Sequence, residues 1–200
     1  MTDMLQRLLD KEQIRDVMLR YARGVDRRDW ELVRSAFYAD CVDEHADFKG
    51  KRDEFIAWVR QRHDVDDFRK SAHLLANCLI EFADDGVAAV ETYFVARLEL
   101  GAAASEHRAM LDQGRSSGGG RMRVQVQGRY VDRFEKRDGE WRIARRRTVF
   151  DTLQSQTLEE GEGELNPSWL LGTRDRSDPL NAARAEAGLQ ADPGRNDALR

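Results

Sequence analysis

Asp26 directly follows an apolar helical stretch, five positions after Tyr21, where a carboxylate can turn inward or cap the helix end through local hydrogen bonds. His73 heads the apolar run LLANCLIEF. On a strand whose side chains alternate, His73, Leu75, Asn77 and Leu79 share one face, so that an imidazole and an amide look onto the same surface. Imidazole takes and returns a proton near neutral pH, most effectively beside a carboxylate that orients the ring, although a histidine at a strand start also serves as a structural hydrogen-bonding group. Tyr21, Trp58, Tyr93 and Tyr130 either stack against a ligand and lend a phenolic proton, or fill the core as amphipathic aromatics do. Arg129 shares a strand face with Val131 and Arg133, and Arg145 shares one with Arg147. An arginine turned inward from either strand would hold a developing oxyanion, and one turned outward would lay its stem along a solvated face.

Other chemistries lack their residues. His45, His63 and His107 have no HxH or HxxxH spacing and no nearby cysteine, and Cys41 and Cys78 read as small buried hydrophobes, so no metal site is expected. There is no phosphate-binding glycine loop, no GxSxG elbow and no dinucleotide fingerprint. A reaction that needs neither metal nor nucleotide remains. The 33 Lys and Arg against 37 Asp and Glu leave a net charge of −4, which argues against a nucleic-acid partner. No apolar run approaches the roughly 20 residues that span a bilayer, and the start MTDMLQRLLDKEQIRD is too charged for a signal peptide, so a cytoplasmic protein with no membrane partner is expected.

Positioning these groups falls to a helical first third and a strand-rich remainder. Leu5, Leu8, Leu9, Ile14, Val17, Met18, Tyr21, Ala22 and Val25 recur at helical spacing and predict an amphipathic helix that ends near Gly24 and Asp26. A second helix from Asp29 carries Trp30, Leu32, Val33, Ala36 and Phe37, and a third, Asp53 to Arg62, presents Phe55, Ile56, Trp58 and Val59. After His73 come four strands: LLANCLIEF, VAAVETYFVARLEL, MRVQVQGRYVDRFEKR and WRIARRRTVFD. Asp-Gly at residues 85–86 and 138–139 supplies the positive φ of tight antiparallel hairpins. Residues 101–120 are too long for a turn and form a lid or a mobile loop. These elements predict an α+β fold: a domain over residues 1–152 whose N-terminal helices cover the concave face of a curved, mostly antiparallel sheet, with a pocket between the layers. Residues 153–200 form a polar extension in which Trp169 and Leu170 are candidates to pack on the body or on a neighbouring subunit.

The segment DKEQIRDVMLRYARGVDRRDWELVRSAFYADCV resembles the start of SnoaL-like proteins, of the nuclear-transport-factor-two-like superfamily, in its Tyr-Ala-x-x-x-Asp, Asp-Trp and Ala-Phe-x-x-Asp pattern. SAHLLANCLIEF and GRYVDRFEKRDGEWRIARRRTVFDT resemble that family's central strand and last hairpin. The resemblance implies a cone-shaped roll and a homo-oligomer, trimer ahead of dimer. It also implies a His-Asp dyad of the kind shared by scytalone dehydratase, bile-acid 7α-dehydratase, hexachlorocyclohexane dehydrochlorinase and formaldehyde-releasing lyases. Carried over by motif, the dyad is His73 and Asp26, with Tyr21 at the helix tyrosine of the dehydratases and Arg129 at the strand arginine of the dehydrochlorinase. The expected activity is a lyase acting on a small aromatic or polycyclic substrate, with Trp58, Asn77, Tyr93 and Tyr130 lining its site. The alternatives are a noncatalytic binding or oligomerisation module, and an isomerase or epoxide hydrolase on the same scaffold.

Overall fold

The computed structural model describes residues 2–65, 67–112 and 120–189. Helix α1 (Thr2–Asp26) buries Ile14, Val17, Met18, Tyr21 and Val25 along one stripe. Its first turns overshoot the core, so Leu5, Leu8 and Leu9, expected on the buried face, are about half exposed. Gly24 has a packing role: a Cβ there would lie 2.7 Å from Val33 Cγ2 and 2.9 Å from the Val33 nitrogen, so its lack of a side chain lets α2 (Trp30–Ser35) approach. Asp29 caps α2 by accepting from the Leu32 amide.

The second helix stops short of the expected Phe37. Phe37 opens β1 (Phe37–His45), which is rich in acidic residues, followed by the short β2 (Phe48–Lys51), and neither strand was expected from the sequence. After α3 (Arg52–His63) come the long strands β3 (Phe68–Phe82) and β4 (Val87–Leu100), α4 (Ser105–Asp112), β5 (Met122–Arg137) and β6 (Glu140–Thr157), with α5 (Pro179–Glu186) in the tail. Thus β6 runs five residues beyond the expected domain boundary. The segment expected as a lid or loop contains α4, and its residues 113–119 lie outside the described residues.

The six strands form one curved mixed sheet, ordered β2-β1-β6-β5-β4-β3, antiparallel except for the parallel β1–β6 pair. The hairpin at Asp138 and Gly139 has the expected positive φ at both residues. At residues 84–86 the turn closes differently, with the Asp84 carboxylate accepting from the Gly86 amide at 2.7 Å. A bulge in β3 between Leu75 and Cys78 places one extra residue opposite β4. Beyond it the strand's faces exchange, so Cys78, Ile80 and Phe82 turn toward the core.

Candidate active site

The curvature of the sheet, with α3 and α4 lying across its concave face, leaves a cavity of about 420 Å³. Trp58, Phe94, Leu98, Leu111, Val126 and Tyr130 supply much of its apolar wall. All four histidines of the chain, His45, His63, His73 and His107, also line it.

Asp26 and His73 meet at this cavity from two directions, one at the last residue of α1 and the other near the start of β3. The His73 ring nitrogen Nδ1 lies 2.7 Å from Asp26 Oδ1, and the carboxylate also accepts from the His73 backbone amide at 2.8 Å and the Ser71 hydroxyl at 2.7 Å. Both side chains are largely buried. Burial alone would raise the Asp26 carboxyl. The hydrogen bonds and charge it receives from His73, with that from Ser71, outweigh burial and leave the carboxyl below its ordinary value. An ionised carboxylate only accepts, so His73 carries its proton on Nδ1 and leaves the Nε2 lone pair for the cavity.

Trp58 and Tyr130 line the cavity with His73, whereas Tyr21, Arg129, Asn77 and Tyr93 do not. Tyr21 is 2% exposed and sits behind the wall, edge-on to Phe37 and Tyr130, where burial pushes its phenol up to about 12. Arg129 lies on the outer face of the sheet, donating to Glu91 at 2.8 Å and to Asp151 at 3.2 Å. The arginine that does turn inward is Arg146, between the two candidates named from the sequence. It is fully buried, bidentate to Asp132 at 2.7 and 2.8 Å, and sandwiched by the rings of Tyr21 and Tyr130, each 4.2 Å from its guanidinium carbon. Asn77 is exposed because the β3 bulge reverses the alternation that would have placed it beside His73. Tyr93 is 41% exposed on the outer face, and its neighbour Phe94 takes the inner position.

His45, His63 and His107 entered the sequence reading only as absent metal spacings. A weaker signal was available, since Phe55, Val59 and His63 recur every four residues on α3, and Ala104, His107 and Leu111 share a helical face around α4. Burial holds all three imidazoles neutral, lowering His45 and His107 to about 3 and His63 well below its ordinary value. A fourth residue had no sequence signal at all. Arg174, in the tail, reaches back to α1, donating from Nε to the Asp26 carbonyl at 3.1 Å and from Nη2 to the Val25 carbonyl at 3.3 Å.

Comparison with known proteins agrees with this architecture. The SnoaL-like domain family matches residues 6–147. Among solved structures, a type-2 hexachlorocyclohexane dehydrochlorinase superposes with a TM-score of 0.64 at 16% identity, covering 82% of this chain and 99% of that one. A candidate scytalone dehydratase from Novosphingobium aromaticivorans gives 0.61 at 20% identity, with 83% and 100% covered. A Nostoc punctiforme protein of unknown function with a cystatin-like fold gives 0.52 at 19% identity, with 72% and 92% covered. These likenesses establish the fold. No curated protein matches the sequence.

Proposed function

The chain belongs to the SnoaL-like domain family, and from that premise we propose that it is a cofactor-independent lyase. It would remove water, halide or formaldehyde from a small hydroxylated aromatic or polycyclic compound. The observation that carries this reading is the 2.7 Å contact between His73 Nδ1 and Asp26 Oδ1 at the wall of an apolar cavity whose size suits such a ligand. His73 Nε2 takes a proton from the carbon beside the leaving group. The C–H electron pair becomes the new double bond, and the leaving group departs with its own bonding pair, a halide as the anion and a hydroxyl as water once it takes the proton back from His73. In the formaldehyde variant the proton comes from the hydroxymethyl oxygen, and the broken C–C pair stays on the substrate carbon. Asp26 holds the ring's tautomer and balances imidazolium as it forms.

The test is purified protein offered a panel of hydroxylated aromatic and polycyclic compounds, with mass detection of lost water, halide or formaldehyde. On the compound turned over, His73→Ala lowers kcat by about 10²- to 10⁴-fold, and Asp26→Asn does comparable damage because an amide orients the ring without balancing its charge. Folded variants that kept near-wild-type turnover would remove the dyad from the mechanism. We also propose that the protein works in the cytoplasm as a homo-oligomer. The exposed Leu74, Leu79, Tyr93 and Val131 on the outer sheet face support self-association.

A further inference from the structure

An elimination that gathers negative charge on a substrate oxygen while the proton leaves carbon needs a hydrogen-bond donor as well as a base. The two donors expected from the sequence are elsewhere, Tyr21 behind the cavity wall and Arg129 on the outer face. The cavity does hold His63, at the end of α3, and the tail fixes what that ring can do. Arg174 Nη2 lies 3.0 Å from His63 Nδ1, while Nη1 donates to the Phe68 carbonyl at 3.1 Å and the guanidinium lies 4.2 Å from the centre of the Phe68 ring. A guanidinium has only donors, so His63 Nδ1 must accept, and the single proton of a neutral ring stands on Nε2. No described residue takes that Nε2 proton. The ring is held from the sides as well, tilted against Phe68 at 4.3 Å and edge-on to His107 at 5.2 Å. His73 and His63 are therefore locked in opposite tautomers on one cavity, an acceptor nitrogen and a donor N–H.

We propose that His63 Nε2–H is an oxygen-binding subsite for a substrate carbonyl, phenol or alkoxide oxygen, and that Arg174 is the positioning residue that keeps it a neutral donor. Its use in turnover rests on the lyase reading, whereas the subsite itself does not. Burial, which holds His63 well below its ordinary value, prevents the ring from becoming a second cation beside Arg174. The tail is on this account part of the site.

The subsite is tested without the natural substrate by comparing binding of 1-indanone with that of indane, which has the same ring system and no oxygen. The wild type should favour the ketone by about tenfold, the worth of one hydrogen bond in a dry site. His63→Phe, which keeps an aromatic ring, should abolish that preference while still binding indane. Arg174→Ala should weaken the preference and Arg174→Lys restore part of it. Long-range proton–nitrogen NMR of the free protein should find the proton of His63 on Nε2 and that of His73 on Nδ1. An unchanged ketone preference in His63→Phe, or a native His63 protonated on Nδ1, overturns the proposal. Loss of turnover in His73→Ala alongside either result would leave the dyad standing without this subsite. Loss of ketone preference in His63→Phe with full turnover in His73→Ala would do the reverse.

Discussion

Asp26 remains a carboxylate in a buried position because it accepts three hydrogen bonds, two of them from His73, and the same bonds deny the ring any freedom of tautomer. The other three imidazoles are buried neutral, and this sets the response of the whole protein to acid. Unfolded imidazoles titrate near pH 6.5, far above the folded values of about 3 for His45 and His107, so between those limits the unfolded chain binds protons that the folded chain refuses. Their stabilisation is present above pH 6.5 and is lost as pH falls, by about 1.4 kcal/mol per pH unit for each ring. Asp43 opposes this. Burial raises its carboxyl to about 7, so the folded state keeps a proton that the unfolded state has released, and stability declines as pH rises toward 7. Burial raises the Asp132 carboxyl as well. With three rings against two carboxyls, the urea midpoint should fall between pH 7.5 and 5.5, and His107→Phe should flatten the decline. A midpoint that rose on acidification would contradict neutral histidines.

Among the elements, the strands do more than carry side chains, because their irregularities decide which side chains reach the cavity. The β3 bulge sends Asn77 outward and Cys78 inward. A second register shift, between Gln127 and Gly128, lies where β5 bends past β6, and a Cβ on Gly128 would lie 2.1 Å from the Val149 carbonyl oxygen and 2.9 Å from Phe94. The Val149 carbonyl belongs to the backbone of the paired strand and cannot move aside without opening the ladder. Gly128→Ala should therefore destabilise the fold by about 2 kcal/mol or more in urea titration. A change below about 0.5 kcal/mol would mean that β5 and β6 relax together at this point.

At the scale of the whole molecule, two groups of exposed apolar side chains stand out among the described residues outside the tail. One lies on the outer sheet face with Leu74, Leu79 and Tyr93, and the other on the overshooting start of α1 with Met4, Leu5 and Leu8. A chain with net charge −4 that leaves such residues open is expected to cover them with another copy of itself. Sedimentation at micromolar concentration should give a trimer or dimer, and Leu79→Asp should shift it toward monomer. A wild-type monomer under those conditions would refute self-association. The tail is partly accounted for within one chain, since Arg174 anchors it against α1 and β3, while Trp169 and Leu170 stay exposed.

The sequence by itself determined the helical and strand periodicities, the Asp138-Gly139 turn, and the two residue types that form the Asp26–His73 pair. Each of these is a local property, and the strand limits of β4 and β5 were legible to the residue. The tertiary structure alone decided which faces those strands present. A single inserted residue in β3 reverses its alternation, and the outward Arg129 and inward Arg146 differ only in register along paired strands. Strands β1 and β2 were hidden because the acidic residues of β1 and the short, Lys- and Gly-containing β2 have little strand propensity, and pairing of β1 with β6 and of β2 with β1 supplies what propensity does not. Nor could spacing disclose the gathering of four histidines or the return of Arg174 to Asp26. The histidines come from separate elements, and only the curvature of the sheet brings them to one cavity, while the path of the tail carries Arg174 to the Asp26 carbonyl.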